Sequence, residues 1–523
     1  MKEIKLPKVT FWRAVLVIIW TLGLYATFIR FTKGLGAATN LSDQFPWGIW
    51  IGFDILVGVG LAAGGFVITA FVYIFNVKDF KAISRPTVLT AFLGYVLVIF
   101  ALMFDLGLPY NVWHPIIMWN PHSVMFEVGW CVMLYTTVLF LEFSPLLLER
   151  FGFKKPLAIM RKLILPLVIL GVLFSTLHQS SLGTLYVIVP DKLHPLWYTG
   201  LLPLLFFISA ICGGLAMVIF ESYTSARAFG KELEFPILAQ LSRILVVVLF
   251  LLLFIRYRTL AANNALQYIF DGSKESIYFL VEISIGIIIP VILFLIPKIR
   301  NNRAGLFLGA VFVLIGFIMN RLNVSITGMA WSSGVNYFPT WMEVAITASI
   351  VSAGFVIFRY ATKHLPIFPD KESEAAKVPP PLISAGRSGS RVIMVLGSLL
   401  LIVSVGLALE FSSKSKTEVI PEEQSEPVKN VMPAELSLPA PIEFEMGEDS
   451  PGVVTFTHET HVDPDEPNCT GCHTGMFNIK PDKVGALGSV SMEKLYENEQ
   501  CGKCHNGDDS FSVEECEFCH YAE

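Results

Sequence analysis

Eleven runs of about twenty apolar residues each, separated by short polar segments, are the feature that most limits what this chain can become. They lie at roughly 11–31, 47–75, 86–108, 123–147, 163–188, 198–221, 237–256, 276–297, 304–321, 340–360 and 392–411. Twenty residues of helix match a hydrocarbon core ~30 Å thick. Inside that core each backbone N–H and C=O must be satisfied within the chain, so each run is expected to be a helix. Composition agrees: 54% of residues are hydrophobic and only 15% charged, where soluble domains carry roughly 25%. No basic stripe interleaved with aromatics exists, so a nucleic-acid partner is not expected. The first run is followed by no small-residue cleavage site and is read as a retained span.

Lysine and arginine favour the cytoplasmic loops, and their distribution here alternates. Lys2, Lys5, Lys8 and Arg13 precede run 1, and Lys78, Lys81 and Arg85 follow run 2. Arg150, Lys154, Lys155, Arg161 and Lys162 follow run 4, and Lys298, Arg300 and Arg303 follow run 8. Loops of the other parity are sparse, with none in 105–122 and only Lys192 in 189–196, although 257–275 holds Arg258 and Lys274. The N-terminus is therefore expected in the cytoplasm of a bacterium, in the inner membrane. Ten runs return the chain there for a polar linker at 369–391, and the eleventh carries it out to the periplasm.

That exit explains the tail. Six of the eight cysteines form three C-x-x-C-H units: Cys469, Cys472 and His473; Cys501, Cys504 and His505; Cys516, Cys519 and His520. Paired cysteines form thioethers to a haem, and the following histidine binds its iron. Zinc would need no histidine after each pair, and a disulfide across two residues is a redox motif rather than a scaffold. Three haem c groups offer six axial positions. His473, His505 and His520 are the proximal ligands, and only His458 and His461 remain as further histidines of the tail. Met492 is the favoured sixth ligand, with apolar packing of Met492 or an open site as alternatives. The other two cysteines, Cys131 and Cys212, lie in apolar runs and are read as small buried hydrophobes.

The pair of histidines two apart, followed by close-set C-x-x-C-H units, resembles the small class III multihaem cytochromes c over about 452–523. That resemblance implies that His458 serves the first haem and His461 a later one. Some seventy residues build little core of their own, so the haems would supply it. Residues 412–451 are rich in Pro and Glu and read as a flexible linker with a reach of roughly 35 Å.

Ionisable residues inside spans are costly and mark function by default. On the outer half lie Asp54, Asp105, Glu127, His178, Arg256, Glu282, Arg321 and Glu343, with His114, His122 and His194 beside the outer loops. Toward the cytoplasm lie Glu142, Glu149, Glu221 and Arg243. A b-haem would need two histidines on facing helices, and only His178 lies well inside a run. A quinone suits the outer set better, because its carbonyls need hydrogen-bond donors and its reduction needs protons. "TLHQSSLG" at 176–183 offers His178, Gln179 and two serines. The expected pocket comprises His178, Gln179, Asp54, Asp105, His122, Glu127, Glu282 and Arg321. Any one of these also has a structural explanation as a buried, paired polar group. Glu142, Glu149 and Glu221 are a candidate proton route, or else caps at the inner interface.

Several stretches together are similar to the NrfD/PsrC family: "FPWGIWIGFDILVGVGLAAGG" (45–65), "NPHSVMFE" (120–127), "LEFSPLLLERFG" (141–152), "LHQSSLGTL" (177–185), "HPLW" (194–197) and "YFPTWMEV" (337–344). The likeness is greatest to the HybB branch, membrane subunits of periplasm-facing nickel–iron hydrogenases. It implies an all-α, ten-helix membrane bundle over 1–368 that binds menaquinone near the periplasmic face. A ferredoxin-like iron–sulfur subunit, a catalytic hydrogenase subunit and periplasmic cytochromes would be its electron partners. The eleventh span at 392–411 and the haem domain at 452–523 depart from that branch. A polysulfide, nitrite or cytochrome reductase module is the alternative setting, and a transporter with a haem sensor a remote one. Gly58, Gly60, Gly64 and Gly65 are expected to let helices approach closely.

Overall fold

The computed structural model describes residues 10–335, 337–368, 441–444, 453–462, 492–497, 500–505, 507, 510, 512–516 and 519–521. The chain divides into two compact units, 1–418 and 419–523. The expected eleventh span at 392–411, the linker at 369–391 and the first haem motif, Cys469, Cys472 and His473, lie outside the described residues.

Ten helices in the first unit are long and apolar enough to cross a membrane: α1 Phe11–Lys33, α2 Trp50–Ile74, α3 Lys78–Asp105, α4 Val124–Phe151, α5 Lys154–Val187, α6 Leu202–Phe229, α7 Phe235–Ala262, α8 Lys274–Leu295, α9 Arg303–Ser333 and α10 Trp341–His364. They match the first ten apolar runs one for one. The largest difference is α9, which runs to Ser333 where the hydropathy fades near residue 321. Its polar extension stays helical because the bundle satisfies it: Asn323 donates to Glu282 at 2.8 Å and Ser325 to the Arg321 carbonyl at 2.8 Å.

Local chemistry sets the ends. The Ser123 hydroxyl accepts from the Phe126 N–H to start α4, and left-handed Gly152 (φ 75°) ends it. Thr340 and Glu343 form a reciprocal capping box at the start of α10.

Helices α2 and α6 form the centre, with 83% and 72% of their most apolar stretches buried, against 22% for α1 and α10, which pack together at the periphery. Their small residues make this possible. A Cβ on Gly64 would come within 2.8 Å of the Gly214 carbonyl oxygen, and one on Gly286 within 2.7 Å of the Gly316 Cα. At both crossings backbone meets backbone, so α2 touches α6 and α8 touches α9 with no side chain between. Gly58, Gly60 and Gly65 likewise face Val98, Phe317 and Ala91.

Three spans contain widened π turns: Trp50–Ile55 and Ala70–Ile74 in α2, Ser284–Ile288 in α8 and Asn323–Thr327 in α9. Such a turn inserts an extra residue and re-aims the side chains around it. The first contains Asp54, and the last two begin within two residues of Glu282 and Arg321. Three of the four distortions therefore sit beside buried charges.

The second unit contains a small antiparallel sheet ordered β1 (Ile442–Phe444), β2 (Val453–Phe456) and β3 (His520–Tyr521). Glu443 stands opposite Thr455 and Val454 opposite His520. Strand β1 falls inside 412–451, so the flexible reading of that segment does not hold at its end. Main-chain pairing to β2 orders residues 442–444 despite their polar surroundings. A short helix, α11 (Met492–Tyr496), precedes the Cys501 motif.

Gly214→Val should prise α2 from α6, because its Cβ lies 2.7 Å from the Ala63 carbonyl carbon and cannot rotate away. A loss of about 1–3 kcal/mol is expected, read as a lower thermal midpoint in detergent. Gly200→Ala, with nothing within 4 Å of the new methyl, should leave it unchanged.

Candidate functional site

Six of the eight polar residues expected in one outer pocket fall into three groups, the first and third of which share α2 and α3.

The first surrounds His178 on α5. It is fully buried, and neither ring nitrogen has a hydrogen-bond partner. Tyr95 of α3 lies beside it, ring centroids 5.6 Å apart, and meets Tyr135 of α4 edge-on at 4.6 Å. Ser175, His178 and Gln179 share one face of α5 by their i, i+3, i+4 spacing. Gln179 donates to the Val59 carbonyl at 3.1 Å, which fixes the α5 face against α2. An unmade hydrogen bond on a buried group costs about 1–3 kcal/mol and calls for an explanation. A ligand with carbonyl or hydroxyl oxygens would supply the missing partners. Tyr95 and Tyr135 were not among the expected site residues, since tyrosines inside apolar runs look like packing. Their pairing with a buried histidine is visible only in three dimensions.

The second group centres on Glu282 of α8. Arg256 of α7 donates to Oε1 at 2.5 Å and Asn320 of α9 at 2.9 Å. Trp197, from the loop before α6, donates to Oε2 at 3.0 Å and Asn323 at 2.8 Å. All four lone-pair sites of the carboxylate are thus taken by groups that can only donate. Arg321 lies behind this cluster, its guanidinium 3.8 Å from the Phe206 ring centroid and 4.7 Å from that of Phe317. It donates to the Asn320 side chain, the Phe206 carbonyl and Ser209, each within 3.0 Å. Glu282 and Arg321 were expected to share the His178 pocket. They belong instead to α6–α9, because the close α8–α9 crossing turns both into their own half of the bundle.

The third group joins α1, α2, α3 and α10. Thr347 donates to the buried Asp54 at 2.7 Å. Asp105 lies within electrostatic range of Asp54, Glu343 and Arg30, and its Oδ1 is buried without a partner. Arg30, buried in α1, was also missed. It donates to the Phe104 carbonyl at 2.6 Å and the Leu106 carbonyl at 2.5 Å, capping the end of α3 beside Asp105. Glu343 takes hydrogen bonds from Tyr337, the Thr340 N–H and the Asn40 N–H.

His122 and Glu127 do not join any group. Both are exposed at the rim, since the chain before α4 runs across its end rather than into the bundle. His194 is buried among Trp197, Tyr268 and Trp331, with ring centroids at 5.3–5.8 Å. Burial lowers its imidazole below the ordinary range, opposed by Glu275 and Asp271. From Tyr135 toward the opposite end, Glu142 and Glu149 follow at seven-residue intervals on one face of α4. Glu142 and Glu221 are buried. Glu149 is partly exposed and pairs with Arg161 at 2.9 Å and Arg85 at 3.6 Å, which suits an interfacial anchor.

In the second unit the His505 N–H donates to the Cys501 carbonyl at 3.0 Å, closing the second C-x-x-C-H turn. The rings of His461 and His505 stand 6.1 Å apart, centroid to centroid. Imidazoles this close lie within reach of one haem iron. Phe456 packs against both His458 (5.0 Å) and His461 (4.6 Å). His520 lies on β3, Cys516 and Cys519 precede it, and Met492 opens α11, half-exposed.

Residues 37–331 match the family described as polysulphide reductase, NrfD, and residues 454–521 match cytochrome c7 and related cytochromes c. The second match covers all three C-x-x-C-H units and makes the tail a multihaem c-type domain. A protein of Nitratidesulfovibrio vulgaris is 40% identical over 67% of this chain and 92% of its own length. The probable Ni/Fe-hydrogenase 2 b-type cytochrome subunit of Escherichia coli is 34% identical over 65% of this chain and 88% of its own. The menaquinone reductase integral membrane subunit of N. vulgaris is 27% identical over 70% and 93%.

Glu282→Ala should leave Arg256 buried and unpaired, at a cost of about 3–5 kcal/mol. Trp197→Phe removes one of four donors and should cost about 1 kcal/mol. Thermal unfolding of the two variants in detergent measures the contrast, and similar losses would mean that Glu282 is no hub.

Proposed function

Since this chain belongs to the NrfD family, as a multi-pass membrane protein, we propose that it exchanges electrons between menaquinone and carriers on the periplasmic side of the inner membrane. The observation that carries this reading is His178, a buried imidazole with two unpartnered nitrogens in a niche of Tyr95, Tyr135, Ser175 and Gln179. A quinone oxygen set against His178 receives a hydrogen bond when oxidised and offers one when reduced. The tyrosine rings supply an apolar wall for a quinone ring. His178 is fully buried, so a proton reaching that oxygen would come through a neighbouring side chain.

Two carboxylate sets are candidates for supplying that proton. Asp54 lies five residues before Val59, whose carbonyl holds Gln179, and leads through Asp105 toward the outer end. With Glu127 exposed at the rim, Asp54 and Asp105 are the proton partners of His178. Tyr135, Glu142 and Glu221 lead the other way and are the candidate route to the cytoplasm.

The proposed order along the chain is a bundle at 1–368, a cytoplasmic linker at 369–391, an eleventh span at 392–411, a linker from 412, and a haem domain of three haem c groups at 452–523. The N-terminus is cytoplasmic and the haem domain periplasmic. Cys469 and Cys472, Cys501 and Cys504, and Cys516 and Cys519 would hold the three groups covalently. His473, His505 and His520 are the proximal ligands, His461 the distal ligand for the His505 site, His458 for the first, and Met492 for the His520 site. Each haem, when bound, passes one electron at a time. The partners proposed are a ferredoxin-like iron–sulfur subunit and a nickel–iron hydrogenase, in keeping with the name of the 34% identical E. coli relative. The menaquinone reductase subunit favours a second reading, a reductase module without a hydrogenase. Nickel in the purified complex supports the first, and molybdenum without nickel the second.

His178→Ala should lower quinone-linked turnover at least about a hundred-fold while leaving the haem spectrum intact; unchanged turnover would refute the quinone site. His461→Ala should convert a single haem from low spin to high spin by electron paramagnetic resonance, and no change would remove His461 from the iron.

A further inference from the structure

A cavity separate from the His178 niche lies between α6, α7, α8 and α9, beneath residues 196–199. Most of its lining is apolar, including Leu249, Val313 and Phe317, and its polar wall includes Arg256, Glu282 and Asn320. The hydrogen bonds of that wall show what it still lacks. Glu282 accepts from four donors and is full. Asn320 gives its N–H to Glu282 and its oxygen to Arg321. Arg256 makes a single hydrogen bond, to Glu282, so its other N–H groups are available.

The charges do not balance either. Arg256 and Arg321 are both buried, and Glu282 is the only carboxylate among the described residues in electrostatic range of Arg321. Arg321 bonds no carboxylate, and its Nε is buried without a partner. Two guanidiniums thus share one saturated carboxylate, which leaves one positive charge in excess. An uncompensated charge in hydrocarbon is costly, and buried charges are normally paired. The cavity therefore combines an apolar wall, spare donors on Arg256, no free carboxylate and a surplus cation.

We propose that this cavity is a second ligand site, which takes an amphiphile bearing a carboxylate or phosphate head on an alkyl chain. The head occupies the cavity beside Arg256 and neutralises the surplus charge, and the chain extends out through its open side, since a volume of about 50 Å³ holds the head alone. This does not depend on the quinone reading, which concerns the residues around His178.

The test is thermal unfolding of the purified full chain in a neutral maltoside, with decanoate, decyl phosphate, decanol or inorganic phosphate added. Decanoate or decyl phosphate should raise the midpoint saturably, at a concentration at least about ten-fold below that at which decanol acts. Inorganic phosphate should not. Arg256→Gln should abolish the shift, as should Val313→Phe, which fills the cavity without removing a charge. His178→Ala should retain it. An equal response to decanol would overturn the proposal, and so would an equal response to inorganic phosphate. Loss of the shift in His178→Ala would assign the ligand to the other niche and equally overturn it. If Arg256→Gln does not accumulate, the wild-type series and Val313→Phe decide.

Discussion

Inside a hydrocarbon slab a polar side chain can bond only to the protein or to a ligand, and the arrangement of this bundle follows from that shortage of partners. Glu282 is the clearest case. Four donors from α7, α9 and the loop before α6 converge on its two oxygens. A carboxylate so filled has no room for a proton and acts as a tie between helices. The same shortage gives His178 its meaning, since it is the buried histidine whose two nitrogens nothing nearby satisfies.

These two sites illustrate how a membrane protein separates structure from chemistry. Saturated polar groups lock elements together, and unsaturated ones wait for a substrate. The π turns contribute to both, because they aim Asp54, Glu282 and Asn323 inward at positions a regular helix would turn elsewhere. The bundle can afford such irregular turns because its glycine crossings hold the helices close on either side.

The haem unit follows a different rule. With so little chain to form a core, its order depends on pairings between distant segments: β2 against β3, and His461 against His505. The sheet brings the His520 strand beside Val454, so the end of the chain lies next to the segment that carries His458 and His461.

Much was legible from the residues alone, for reasons of period and spacing. Twenty-residue apolar runs can only be helices in a membrane, so ten spans followed directly, and C-x-x-C-H units declare their cofactor by covalent chemistry. Glycines in α2 marked close crossings because nothing else fits there. What the residues could not tell was which polar side chains meet, since depth along a helix is readable from sequence but rotation and neighbours are not. Hence Asp54, His178 and Glu282, all read from the sequence as outer-half residues, belong to three different groups. Tyr95, Tyr135 and Arg30 were not singled out, while Glu127 was placed among the span residues and His122 was counted in the pocket from the outer loop. Partner choice in a low-dielectric bundle is decided by helix rotation and crossing, and those are set only when all ten helices pack at once.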